Sequence, residues 1–140
     1  MPQVQRIGTS AFYSAHLSTI TLPECVKIDQ YGFDYCSQLR SINLPKCKNI
    51  ATGAFSNCHN LKSIYLPLCE NIGDYAFISN HSLEIVDLPQ CHYIGSYAFA
   101  SCESIKEINL PACVKIGYNW LLSARSTLQK VNLEKIEIVP

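Results

Sequence analysis

Apolar and polar residues alternate in short stretches along this chain. In "LRSINLP", residues 39–45, Ile42 and Leu44 are apolar while Ser41 and Asn43 between and before them are polar. That is the period of a strand with one buried face. Proline then ends the stretch, because it has no N–H with which to continue a ladder. The same pattern returns every 22 residues, with Leu22-Pro23, Leu44-Pro45, Leu66-Pro67, Leu88-Pro89 and Leu110-Pro111 in one slot. Other slots repeat as strictly. One holds Leu17, Leu39, Leu61, Leu83, Ile105 and Leu128, and the next apolar slot holds Ile20, Ile42, Ile64, Val86, Ile108 and Val131. An isoleucine slot follows at Ile7, Ile28, Ile50, Ile72, Ile94 and Ile116. An aromatic slot runs Phe12, Phe33, Phe55, Phe77 and Phe99 and then Leu121.

A strand every 22 residues, always in the same direction, requires a parallel sheet. The chain must return in about 15 residues, which suits a solenoid coil and leaves little room for a full crossover helix. The periodicity divides the chain into a partial repeat at 1–16, repeats at 17–38, 39–60, 61–82, 83–104 and 105–127, and a degenerate coil at 128–140. All form one domain, expected to be a module or fragment of a longer protein. The first half-repeat puts Met1 in the leucine slot, Val4 in the first cysteine slot and Ile7 in the isoleucine slot. The last coil places Trp120 where a small alanine recurs elsewhere, keeps Leu133, Ile136 and Val139 in apolar slots, and drops the proline. Open solenoid ends predict either a longer parent or end-to-end self-association at Met1–Ile7.

The eight cysteines fall on the same grid. Cys25, Cys47, Cys69, Cys91 and Cys113 form one column, which gives way to Val4 and Ile136 at its ends. Cys36, Cys58 and Cys102 form a second, where Asn80, Ala124 and either Ser14 or Ala15 take the slot. Replacement by small apolar or weakly polar residues points to buried packing positions, since free cysteine behaves as a small hydrophobe with a weak donor. No C-x₂₋₄-C pair is present, so the spacing argues against zinc. Stacked coils hold same-column sulfurs roughly 4.8 Å apart. A disulfide needs Cβ atoms about 3.8 Å apart, so pairing within a column requires distortion. Buried thiols are the expected state and some disulfides the alternative. With Phe33, Phe55, Phe77 and Phe99, the eight cysteines make up the expected structural core.

Composition narrows the function classes. The 140 residues carry no net charge, which argues against nucleic acid or an anionic membrane as the main partner. No apolar run reaches the ~20 residues of a membrane span. "MPQVQRIG" lacks the layout of a signal peptide. No G-x-S-x-G, H-E-x-x-H, P-loop or G-x-G-x-x-G pattern occurs, and the expectation is a non-catalytic chain with no cofactor and no metal. His59, His81 and Glu103 share a column and could meet on one ridge, either as a metal or acid–base cluster or as a solvated loop ridge. "NHS" at 80–82 is a glycosylation sequon, but Asn80 fills the cysteine slot and is expected to face inward.

The unit L-x-x-I-x-L-P-x-C-x-x-I-G-x-x-A-F matches the leucine-rich repeat signature apart from one extra residue before its last apolar position. With "IGDYAF" and "LP", it resembles the BspA-like, or Treponema pallidum-type, leucine-rich repeats over nearly the whole chain. The fold expected is an α/β-type, mostly β solenoid: a right-handed coil with one parallel sheet of about six short strands and irregular or 3₁₀ return segments. The resemblance implies a surface or secreted adhesion role, including toward host matrix proteins. A cytoplasmic location is the alternative. The "LPxC" stretch is also similar to cysteine-containing repeats of intracellular proteins.

The columns facing outward from the strands differ in chemistry from coil to coil, unlike the core columns. They read Thr19, Ser41, Ser63, Ile85, Glu107, Lys130 and Thr21, Asn43, Tyr65, Asp87, Asn109, Asn132, preceded by Ser18, Arg40, Lys62, Glu84, Lys106 and Gln129. Tyr65, Ile85 and Asp87 lie at the centre with Arg40 and Lys62 to one side, the composition of a binding hot spot. The candidate sheet-face site is therefore Arg40, Ser41, Asn43, Lys62, Tyr65, Ile85, Asp87 and Asn109, for a protein or glycan ligand. The competing expectation is a spacer repeat in a larger intracellular or fibrous assembly.

Overall fold

The computed structural model describes residues 3–124, 127–134 and the backbone of 137–138; Met1, Ile136 and Val139 lie outside the described residues. The alternating stretches form a row of parallel strands, β2 (Thr19–Thr21), β4 (Ser41–Asn43), β6 (Ser63–Tyr65), β8 (Ile85–Asp87), β10 (Glu107–Leu110) and β12 (Lys130–Leu133). A ladder joins β2 to β4 and another joins β6 through β12, while β4 lies beside β6 without a ladder between them. Each pairing is parallel and keeps identical slots in register, as in Ile64↔Val86 and Ile108↔Val131. The apolar slots point inward, so Ile20, Ile64, Val86 and Ile108 are buried. Val131 in the same slot is 43% exposed, because β12 has a neighbour on one side only among the described residues.

A second row covers another side of the solenoid. The isoleucine slot forms β1 (Arg6–Ile7), β3 (Lys27–Ile28), β5 (Asn49–Ile50), β7 (Asn71–Ile72), β9 (Tyr93–Ile94), β11 (Lys115–Ile116) and β13 (Glu137–Ile138), paired in that order. Alternation over two residues is too short to register as a strand pattern, which is why the sequence shows only the first row. Arg6 donates to Asp29 at 2.7 Å and Lys27 lies 3.7 Å from it, joining the first two coils. The Arg6 guanidinium holds the Asp29 carboxyl below the usual carboxylate range.

The third side is built of turns, and no helix occurs among the described residues. Its backbone also bonds from coil to coil, as in Phe33 N–H to the Ala54 carbonyl at 2.8 Å and Phe55 N–H to that of Ala76 at 2.8 Å. Two residues per coil take positive φ, for example Tyr31 and Tyr35 at 57° and 58°, or Tyr75 and Ser79 at 57° and 58°. The phenylalanines between them stack along the axis, with centroids 5.2 Å apart from Phe12 to Phe33 and 5.4 Å from Phe55 to Phe77. Trp120 ends the stack edge-on, its ring 6.4 Å from Phe99 at 86°. The bulky residue in an alanine slot thus closes the aromatic column where Leu121 replaces phenylalanine.

All eight cysteines are buried free thiols. The first column donates to the carbonyl two residues on, as in Cys47 to Asn49 at 3.6 Å and Cys91 to Tyr93 at 3.3 Å. The second donates to a phenylalanine carbonyl of the preceding coil, as in Cys58 to Phe33 at 3.3 Å and Cys102 to Phe77 at 3.1 Å. Burial pushes Cys47, Cys91 and Cys102 up to about 12, and raises Cys58 and Cys69 further. Thiolate is the reactive form, so these positions are expected to be inert. The native protein should show almost no fast reaction with a disulfide-exchange thiol reagent at pH 8. After denaturation without reductant, eight thiols should titrate; a lower total would mean that bridges form.

Candidate functional site

The first row presents its polar slots outward on neighbouring strands. Tyr65 pairs in register with Asp87, and Asp87 with Asn109. Ile85 pairs with Ser63 on one side and Glu107 on the other. Tyr65 is 59% exposed and Ile85 43% exposed, both large for the centre of a folded face. Beside them is a depression of about 530 Å³ lined by β8, β10 and β12, among them Ile85, Asp87, Glu107, Asn109, Lys130 and Asn132.

A hydrogen-bond ladder crosses this depression. Asn109 donates to Asp87 Oδ1 at 2.8 Å, and Asn132 donates to Asn109 Oδ1 at 2.8 Å. On the preceding column Lys106 pairs with Glu84 at 3.3 Å. The structure therefore gathers Ile85, Asp87 and Asn109 into one hollow with Tyr65 at its edge. Arg40, Ser41, Asn43 and Lys62 are exposed on the more N-terminal strands, outside that hollow. Glu107, Lys130 and Asn132 join the lining although no single residue singled them out; they occupy the same outward slots, so the alternation itself was the available signal.

The other candidates resolve differently. His59 and His81 stack with centroids 5.1 Å apart, and His81 Nδ1 lies 3.8 Å from Glu103. The ridge exists, yet no group of three or more metal-ligating side chains is found among the described residues. Asn80 is buried and donates to the Phe55 and Phe77 carbonyls, each at 2.8 Å, so the sequon asparagine faces inward. It does for the coil what a cysteine thiol does elsewhere, but its Oδ1 is left without a partner. The first coil uses Ala15 in that slot, since Ala15 N–H bonds Phe12 as Cys36 N–H bonds Phe33.

The model of the BspA type leucine rich repeat region matches six copies across residues 5–129. Among solved structures, a leucine rich repeat protein of T. pallidum superposes with a TM-score of 0.87 at 29% identity, over 96% of this chain and 66% of that one. A leucine-rich repeat protein from Bacteroides ovatus superposes at 0.63 with 28% identity, over 91% of this chain and 40% of that one. The chain thus spans less than two thirds of the length of either. No curated protein matches the sequence.

Proposed function

Because the chain belongs to the BspA-type leucine-rich repeat family, and so is a protein-interaction scaffold, we propose that it binds its partner through the outward face of β6–β12. In this reading it is a non-catalytic adhesion or recognition module, secreted or displayed at a cell surface, with a protein or glycan ligand. The single observation that carries the reading is the hollow itself: a depression of about 530 Å³ on a sheet face, lined by the exposed Ile85, with the exposed Tyr65 on the adjoining strand in register with Asp87. Aromatic and aliphatic anchors beside a hollow, ringed by polar residues, are where binding energy concentrates. The strands beneath are locked by ladders, so the face is preorganised and loses little entropy on binding.

The test uses immobilised fibronectin, laminin and collagen together with a glycan array. Tyr65→Ala combined with Ile85→Ala should lower the affinity for whichever surface binds by at least about tenfold, with the urea unfolding midpoint little changed. Binding that survives within twofold would place the contact surface elsewhere on the coil. No binding to any of these probes would remove the adhesion role.

A further inference from the structure

We infer that the hollow over β8, β10 and β12 seats an arginine side chain of the partner protein, an inference that rests on the sheet face being the binding surface. Asp87 and Glu107 project outward from adjacent strands, one slot apart along the strand. Strand geometry separates such diagonal neighbours by about 8 Å at Cα. The other carboxylates of β8's coil are already engaged, Glu84 with Lys106 and Glu103 3.8 Å from His81. Among the described residues neither Asp87 nor Glu107 makes an ion pair. Two carboxylates thus face one hollow in a chain whose total charge is zero.

The surroundings select the kind of cation. Asn109 holds Asp87 by Oδ1 and is itself held by Asn132, which restrains the carboxylate at one oxygen and leaves Oδ2 without a hydrogen-bond partner among the described residues. Ile85 lies between the two acids, next to Asp87 along β8 and opposite Glu107 across the pairing, and offers an apolar floor to a methylene stem. Tyr65, in register with Asp87 on the other side, offers an exposed ring face. A guanidinium meets all of these together: a planar fork for two acceptors, weak hydration, and stacking on an aromatic ring. A lysine ammonium is a compact, strongly hydrated point charge that reaches one acceptor well and loses more hydration. Lys130, in register with Glu107 on the far side, competes for that carboxylate and weakens the seat.

The ¹⁵N-labelled protein titrated with N-acetyl-arginine amide tests this directly. Saturable shifts are expected at Tyr65, Ile85, Asp87, Glu107 and Asn109. N-acetyl-citrulline amide, the uncharged isostere, should leave these signals in place, and the lysine analogue should bind at least threefold more weakly. Asp87→Asn should weaken arginine binding at least fivefold while keeping an acceptor for Asn109, and the exposed Glu107→Gln should act in the same direction. Lys130→Gln should tighten it. Citrulline binding as well as arginine, shifts centred elsewhere, no saturable shift at all, or indifference to both Asp87→Asn and Glu107→Gln would each overturn the inference. Its failure is separable from failure of the broader reading. If Tyr65→Ala with Ile85→Ala still abolishes binding to the matrix or glycan surface, the face is the binding site with a different occupant.

Discussion

Phe77→Ala is expected to destabilise the fold by about 4 kcal/mol, within the range for truncating a fully buried phenylalanine. Phe77 has no exposed surface and is held between Phe55 at 5.4 Å and Phe99 at 5.3 Å. Truncation leaves a cavity between two rings that cannot close on each other. Closure would require neighbouring coils to approach, and their spacing is set by backbone bonds such as Phe77 N–H to Ala98 at 2.8 Å and Phe55 N–H to Ala76 at 2.8 Å. In a solenoid each coil touches only its neighbours, so a defect at a central coil weakens both interfaces it makes. Urea unfolding should show the loss as a lower midpoint, and thermal unfolding as a drop of roughly 10 °C. Phe12→Ala, at the half-buried end of the same stack, should cost clearly less. Equal losses at Phe12 and Phe77, or a loss under about 1.5 kcal/mol at Phe77, would mean that the stack relaxes and is not a rigid column.

Gly95→Ala is expected to cost about 3 kcal/mol, the upper part of the usual range for overpacking. A Cβ at this position would lie 2.4 Å from the Asp74 amide nitrogen and 2.5 Å from the Gly73 carbonyl carbon. Those atoms are backbone, so no rotamer change removes the clash. The two coils must separate, which strains the Gly95 N–H bond to Ile72 at 2.8 Å and the β7–β9 pairing beside it. Gly53 makes the useful contrast. Its added Cβ would meet the Tyr31 ring at 2.4 Å, but that ring is an exposed side chain and can swing away. Gly53→Ala therefore gives up a contact and takes on a positive φ of 62°, without forcing coils apart. Thermal unfolding should rank Gly95→Ala as the more damaging. The reverse order would show that inter-coil spacing is softer than the backbone contacts imply.

The candidate site was legible in part for a reason that its residues make plain. Tyr65, Ile85, Asp87 and Asn109 stand out because they differ between coils in slots where strand alternation demands exposure. The Asp87–Asn109–Asn132 ladder was not legible, because it depends on residues 22 and 23 apart coming into register at hydrogen-bond distance. The same holds for Glu107 and Lys130, which line the same hollow through their register and not through any local pattern. Arg40 and Lys62 are basic neighbours in sequence columns, yet they stand outside the hollow, since it opens only over β8 to β12.

Coil length, the first row of strands, the aromatic column and the burial of both cysteine columns follow from residue order alone. Each rests on a slot repeated in successive coils, and repetition at 22 residues turns weak single-residue preferences into one consistent demand. The second row of strands, the positive φ at Tyr31, Tyr35, Tyr75 and Tyr97, the edge-on closure by Trp120 and the hollow over β8–β12 arise only once the coils stack. Tyrosine has no intrinsic liking for a left-handed backbone, and a two-residue strand has no visible period. These features exist because stacked coils bond to one another along their length, and that constraint acts between repeats and not within any one of them.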